Sequence, residues 1–183
     1  AAGNVATDTN GGGYYTFTTW GTVYRLGPDG AETGSTGWTM TGQWHIDTCR
    51  THTGTYSFKA GSTTCPGTYD PLTTSDLTWN SEIVLGPPGY NYYLSYWGYY
   101  DTEWDYDFCR PQISTDGGTT WTTLGKQYSG GYTGWYKRIY SLNAYSGTVR
   151  VRFQLYTDNY VNQEGWYLDD IEISCMSPCS GEV

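Results

Sequence analysis

The chain has 183 residues, among them 25 Gly, 20 Tyr and 9 Trp, and a formal net charge of -9. This length suits one domain with its own hydrophobic core. The excess of carboxylates argues against nucleic acid or anionic membranes as partners, because both repel a negatively charged protein. No stretch is apolar enough to cross a bilayer, so we expect no membrane insertion.

The N-terminal part of the chain has an unusual composition. Residues 1–13 are small and polar and end in glycines, which is typical of a flexible arm. Residues 14–26 are rich in aromatic and β-branched side chains and precede a Gly-Pro-Asp-Gly turn, which predicts one separate strand. We therefore expect an arm with an extension strand over residues 1–29 and the main domain over residues 30–183. The side chains that mark this strand are Tyr14, Tyr15, Phe17, Trp20, Val23, Tyr24 and Leu26.

The main domain reads as many short strands between glycine-rich turns, with no credible helix. Residues 148–156 alternate an apolar face with a polar face of Arg150, Arg152 and Gln154, as expected of a half-buried strand. This pattern predicts an all-β fold, a two-sheet antiparallel jelly roll or β-sandwich. The predicted strands are residues 54–60, 77–85, 92–99, 105–114 (paired with 92–99), 135–142, 148–156 and 165–173.

Residues 165–173 contain a strand with a carboxylate in an apolar setting. Strict alternation places Asp169 on the same face as Ile171 and Ile173, which we expect to face the core. A buried carboxylate needs a partner. The partner is either a hard cation such as calcium or an arginine, with Arg150 and Arg152 the nearest in sequence.

The five cysteines suggest disulfide bonds and an oxidising location. Their spacing favours Cys49 with Cys65 and Cys175 with Cys179. The remaining Cys109 is expected to be a buried free thiol, with an intermolecular bond as the alternative.

No catalytic arrangement stands out. The two histidines, His45 and His52, do not form the His-Glu-x-x-His pattern of a zinc peptidase. Carboxylates cluster at residues 101–107, where a solvated acidic edge is preferred over a cation site, and a glycosidase pair ranks third. We therefore expect a protein that is not an enzyme.

Aromatic side chains supply a candidate binding surface. Trp and Tyr stack on sugar rings, while the alternative is that they fill the core or contact proteins. The residues of this candidate glycan platform are Tyr99, Tyr100, Trp104 and Tyr160.

Five segments taken in order resemble the MAM-like jelly-roll domains of secreted prokaryotic proteins, which immune inhibitor A peptidases carry as an accessory domain. The segments are residues 32–45, 77–85, 107–121, 135–153 and 165–171. The resemblance implies a two-sheet antiparallel sandwich, an extracellular location and an accessory or adhesive role without catalysis. It also implies a structural calcium site formed by Glu32, Asp169 and Asp170. It does not extend to residues 1–29, and no peptidase domain accompanies it in this sequence.

Two functions follow from these observations. The first is a secreted structural protein whose strand at residues 14–26 pairs with a sheet edge of the next copy, so that copies of the chain form a filament. The alternative to donation is pairing within its own sandwich. The second function is an adhesive module that binds carbohydrate or a cell surface. Both place the protein outside the cell or at its surface.

Overall fold

The computed structural model describes residues 4–10, 13–19, 23–86, 90–132 and 134–176, with side chains from Leu26 onward. The described residues form 14 strands and no helix, as the composition predicts. The strands are β1 Asn4–Asn10, β2 Gly13–Thr19, β3 Val23–Asp29, β4 Trp38–Met40, β5 Trp44–Asp47, β6 Ser57–Ala60, β7 Thr74–Trp79, β8 Ile83–Leu85, β9 Asn91–Asp101, β10 Phe108–Ser114, β11 Thr122–Thr123, β12 Tyr136–Ser141, β13 Gly147–Tyr156 and β14 Gly165–Met176.

Two antiparallel sheets pack face to face as a jelly-roll β-sandwich. The front sheet has the order β11-β10-β13-β7-β4, with β8 beside β13. The back sheet has the order β12-β9-β14-β6-β5, with β3 beside β14. The predicted pairing of residues 92–99 with 105–114 is wrong, because β9 lies in the back sheet and β10 in the front sheet. The acidic turn between them carries the chain from one sheet to the other.

The core lies between the sheets and is built from the apolar positions of the alternating strands. Phe153 of β13 is fully buried and packs against Trp38, Tyr96 and Trp166 at ring-centroid distances of 6.2, 5.1 and 5.8 Å. Tilted and edge-on arrangements of this kind are the favoured geometry of aromatic pairs. These contacts tie the centre of the front sheet to the back sheet.

Strand β14 does not keep strict alternation. Its register with β9 shifts between Asp169 and Glu172, and Asp170 has a positive φ of 48°, as in a β-bulge. Consequently Leu168 and Ile171, three positions apart, both face the core. The prediction that Asp169 shares a face with Ile171 is therefore wrong, and Asp169 lies on the outer face of the back sheet.

The N-terminal prediction of one separate strand is also wrong. Residues 13–19 form β2, which pairs with β1, while residues 23–29 form β3, which pairs with β14 of the same chain. The sandwich thus includes β3, so it begins before the predicted boundary at residue 29. Of the predicted assembly residues, Tyr14, Tyr15 and Phe17 lie in β2, Val23, Tyr24 and Leu26 lie in β3, and Trp20 lies outside the described residues.

Residues 77–85, predicted as one strand, are divided between β7 and β8, and both pair with β13. None of the described residues belongs to a helix long and apolar enough to cross a membrane.

Candidate functional site

The outer side of the front sheet carries a band of polar side chains, which we call the polar face. It consists of Asp76 on β7, Arg110 and Gln112 on β10, and Arg152 and Gln154 on β13. Strand register places these residues in two rows, because Gln112 is opposite Arg152 while Arg110 is opposite Gln154 and Gln154 is opposite Asp76. The inward neighbours of β13 are the core residues Val151, Phe153 and Leu155.

Hydrogen bonds connect the five side chains into one network. Arg152 donates from Nε to Gln112 Oε1 at 2.6 Å and from Nη1 to Asp76 Oδ2 at 3.1 Å. Gln154 donates to Asp76 Oδ1 at 3.1 Å and accepts from Arg110 Nη1 at 3.3 Å. The network holds the planar guanidinium, amide and carboxylate groups in fixed orientations.

Aromatic rings border the polar face at two points. The Arg152 guanidinium lies 4.4 Å from the ring centroid of Trp121. The Arg110 guanidinium lies 5.2 Å from the ring of Phe108 and 5.1 Å from that of Tyr156. Cation–π contacts of this type orient a guanidinium and leave its hydrogen-bonding edge available.

The polar face is largely shielded from solvent although it lies on the outside of the sandwich. Gln112 and Gln154 are only 7% and 8% exposed. Burial lowers the pKa of both Arg110 and Arg152, and Asp76 partly offsets this effect at Arg152. A partly desolvated set of planar donors and acceptors suits a ligand that both donates and accepts hydrogen bonds.

Part of the outer face of the back sheet, around β6 and β14, is shielded from solvent. Lys59 and Tyr167 lie side by side on it, yet neither is exposed to solvent. The Cys49–Cys65 disulfide closes a segment that contains β6, and Lys59 of β6 donates to the carbonyl of Thr64 in the same segment. His52 of the same segment stacks on Trp97 with ring centroids 3.8 Å apart.

The four residues of the predicted glycan platform do not lie together in the structure. Tyr100 is 8% exposed and packs in the core, while its neighbour Tyr99 points to the outer face of the back sheet, beneath Arg50. Trp104 and Tyr160 are 70% and 75% exposed, on loops at the same end of the sandwich. The four residues therefore do not form one surface.

The three predicted calcium ligands surround the loop at residues 52–56. Asp169 is fully buried, and its Oδ2 accepts hydrogen bonds from the backbone N–H groups of His52 and Thr53 at 2.7 and 3.1 Å. Asp170 contacts the side chains of the same two residues. Glu32 Oε1 accepts from the backbone N–H groups of residues 55 and 56. The expectation that Arg150 or Arg152 would be the partner of Asp169 is wrong.

The acidic turn contributes to a different cluster. Among the described residues, Glu103, Asp107 and Asp158 have carboxylate oxygens within 4.8 Å of one another. Asp107 accepts a hydrogen bond from the Tyr69 hydroxyl and, at 2.7 Å, from the backbone N–H of Asp158. These carboxylates thus connect the turn between β9 and β10 to the loop that follows β13.

The disulfide predictions have mixed outcomes. The Cys49–Cys65 bond is present, with the two Cα atoms 5.8 Å apart. Cys109 is fully buried and has no disulfide partner among the residues that the structure describes. Cys175 is buried, and its predicted partner Cys179 lies outside the described residues.

The polar face was not identified from the sequence as a site. The alternation of Arg150, Arg152 and Gln154 with apolar residues was visible, as was a second alternation of Arg110 and Gln112 in β10. Their assembly with Asp76 depends on the order β10-β13-β7, which brings together residues up to 78 positions apart.

Comparisons with known proteins come from sequence and from structure. No family model matches the chain, so the resemblance to MAM-like domains is not confirmed. Bacillopeptidase F of Bacillus subtilis (strain 168) is 26% identical over 152 residues, which cover 80% of this chain. The match spans only 10% of that protein's length.

Several solved structures share the fold. TmCBM61, in complex with beta-1,4-galactotriose, has a TM-score of 0.53 and 16% identity, covering 82% of this chain and 97% of its own. The CBM22-1 xylan-binding domain of Paenibacillus barcinonensis Xyn10C has a TM-score of 0.55 and 15% identity, covering 81% and 92%. Family 16 Carbohydrate Binding Module-2 has a TM-score of 0.52 and 15% identity, covering 79% and 95%. The chain therefore has the jelly-roll β-sandwich fold that these carbohydrate-binding modules share.

Proposed function

We propose that this chain is a non-catalytic carbohydrate-binding module and that its ligand binds on the polar face. The observation that carries the proposal is the partly buried, hydrogen-bonded network on the outside of the front sheet. Sugar hydroxyl groups both donate and accept hydrogen bonds, and the guanidinium, amide and carboxylate groups of the network supply both functions. The rings of Trp121 and Tyr156 add apolar surface at the border of the network for the faces of sugar rings.

Two further observations support this placement. On the outer face of the back sheet, Lys59 and Tyr167 are fully buried and so cannot contact a ligand. The solved structures with the same fold include one module in complex with beta-1,4-galactotriose and one described as a xylan-binding domain. Fold likeness alone does not carry function, so the proposal depends on the site itself.

A filament subunit joined by strand donation has less support. Strand β3 pairs with β14 of its own chain, so residues 23–29 already have main-chain partners. Strand β2 likewise pairs with β1. The disulfide supports a role outside the cell or at its surface, where such bonds persist.

Calcium remains part of the proposal as a structural ion near residues 52–56. The available ligands are carboxylate oxygens, which calcium prefers. Glu32, Asp169 and Asp170 supply such oxygens, which already accept hydrogen bonds from the loop. Among the described residues, the carboxylates grouped within 4.8 Å of one another are instead those of Glu103, Asp107 and Asp158. We expect the melting temperature to fall in EDTA and to recover when calcium is added. An unchanged melting temperature would show that the loop needs no ion.

Isothermal titration calorimetry with soluble β-1,4-galactan, xylan and β-glucan tests whether the chain binds carbohydrate. Arg152→Met removes the centre of the network, and we expect an affinity loss of about tenfold or more, the usual effect of losing charged hydrogen bonds. Lys137→Ala, on an exposed position of β12 in the back sheet, is the matched control and is expected to bind like the wild type.

A second pair of variants, Trp104→Ala and Tyr160→Ala, probes the exposed aromatic residues at the end of the sandwich. If these variants lose binding while Arg152→Met retains it, the ligand does not bind on the polar face, but the chain is still a carbohydrate-binding module. If the wild type binds none of these polysaccharides and neither polygalacturonate nor glucuronoxylan, the proposed function is wrong.

A further inference from the structure

Positive charge is concentrated on the front of an acidic protein. The chain has 9 Lys and Arg against 18 Asp and Glu. Three of the arginines, Arg110, Arg150 and Arg152, lie on the outer face of the front sheet. Asp76 is the only carboxylate among the described side chains that strands β4, β7, β10, β11 and β13 direct to that side.

The three arginines differ in how their charge is balanced. Arg152 is paired with Asp76 at 3.1 Å. Arg150 donates to the backbone carbonyls of Gly117, Trp79 and Asn80. Arg110 has neither arrangement, because no carboxylate of the described residues lies within 4.0 Å of it and its side-chain partners are amides.

Arg110 is held in a fixed position. Its guanidinium packs against Phe108 and Tyr156, while Nε donates to Gln127 Oε1 at 3.0 Å and Nη1 to Gln154 Oε1 at 3.3 Å. Neither amide brings a negative charge, and the described part of the chain supplies no acceptor for Nη2. The group is therefore oriented, with one edge left for a ligand.

The surroundings of Arg110 disfavour its charge. Burial lowers its pKa, and no carboxylate among its described neighbours offsets that effect. A partly desolvated cation without an anion costs free energy that an anionic ligand would recover. A planar guanidinium also matches a planar carboxylate in geometry.

We propose that the ligand of the polar face is an acidic polysaccharide and that Arg110 binds the carboxylate of a uronic acid residue. This inference rests on the proposed carbohydrate-binding function and specifies its substrate class. Arg152, Gln112 and Gln154 then bind the hydroxyl groups of the same chain, while Arg110 selects for charge.

The test compares polygalacturonate and glucuronoxylan with the same polymers after chemical reduction of their carboxyl groups. We expect the acidic forms to bind about tenfold or more tightly than the reduced forms, and added salt to diminish this preference. Arg110→Gln is expected to weaken binding of the acidic forms by about tenfold more than binding of the reduced forms, so that the preference for the acidic forms is lost. Lys137→Gln, in the back sheet, is the charge-matched control and is expected to keep the preference.

A second variant covers the case in which Arg110→Gln does not fold. Gln127 is exposed, and Gln127→Glu places a carboxylate beside Arg110 without removing any core contact. It is expected to weaken binding of the acidic polymers and to leave the reduced forms unaffected.

Three outcomes contradict the inference. Equal binding of acidic and reduced forms would overturn the charge selectivity and leave the proposed function standing. Binding of sulfated galactans but not of uronic polymers would overturn the carboxylate assignment. Failure to bind any acidic, reduced or neutral polysaccharide would overturn the inference and the proposed function together.

Discussion

Arg50 and Glu164 form a bidentate ion pair, in which Arg50 Nε lies 2.6 Å from Glu164 Oε1 and Arg50 Nη2 lies 2.8 Å from Glu164 Oε2. They are 114 residues apart in the chain. The pair connects the disulfide-closed segment to the residue that precedes β14, and Tyr167 donates a further hydrogen bond to Glu164 at 2.9 Å. The ion pair therefore fastens the disulfide-closed segment to the central strand of the back sheet.

Replacing Arg50 by Met is expected to destabilise the protein. The Glu164 side chain is only 12% exposed, so the variant leaves a largely buried carboxylate with Tyr167 as its remaining donor. Arg50 itself is 39% exposed, and we expect a loss of about 1–2 kcal/mol, between the values for surface and buried pairs. Urea unfolding of wild type and variant at neutral pH measures this difference in the free energy of unfolding.

The ion pair between Arg50 and Glu164 also makes the stability of the fold depend on pH. Burial raises the pKa of Glu164, but hydrogen bonds from Arg50 and Tyr167 outweigh this effect and place it below the ordinary value of 4.5. A lowered carboxyl pKa stabilises the fold above pH 4.5, and this contribution is lost as the pH falls through the folded-state pKa. The stability difference between wild type and Arg50→Met should therefore narrow in acid, and a constant difference would contradict this assignment.

Removal of the disulfide is expected to lower stability, because the unfolded chain gains conformational entropy when the cross-link is absent. Cys49 and Cys65 are 16 residues apart, and closing a loop of that length contributes about 3 kcal/mol. The Cys49→Ser/Cys65→Ser double variant should unfold at a lower urea concentration than the wild type. Dithiothreitol should destabilise the wild type more than the variant.

Lysine labelling gives an independent readout of the same variant. Lys59 is fully buried within the disulfide-closed segment, whereas Lys137 is exposed. Acetylation of Lys59 should be faster in the double variant, with Lys137 as the internal reference. Equal protection of Lys59 in both proteins would show that the segment stays in place without the bond.

Shortening Phe153 is expected to be the most damaging of these changes. The ring is fully buried against aromatic residues of both sheets, so Phe153→Ala removes apolar contact and leaves a cavity. The expected cost is about 3–5 kcal/mol, measured by denaturant unfolding. Val84→Ala, at a position 62% exposed on β8, is the control and should change stability little.

Asp116 is expected to titrate at unusually low pH. Hydrogen bonds from the Thr120 side chain and backbone, with one from Ser114, lower its pKa from 3.8 to about 2. The turn is therefore stabilised by the ionised carboxylate above pH 3.8, and this contribution is lost as the pH falls through about 2. NMR titration of the carboxyl carbon measures the pKa. Thr120→Val should raise it, whereas Thr122→Val, at an exposed position of β11, should not.

Local sequence patterns predicted part of this protein correctly. Alternation and glycine-rich turns indicated strands without helices, because side-chain direction in a strand repeats every two residues. Cysteine spacing identified the Cys49–Cys65 bond, and the apolar alternation around Cys109 indicated its burial. These features depend on residues close together in the chain, so sequence alone determined the all-β class and this cross-link.

Tertiary structure decided the features that depend on distant strands. The bulge at Asp170 moves Asp169 to the outer face, and no residue pattern within β14 marks it. The crossing between sheets at residues 101–107 separates β9 from β10, which local alternation had paired. The polar face exists because β10, β13 and β7 are neighbours, and strand order is settled by how the whole core packs rather than by any single segment.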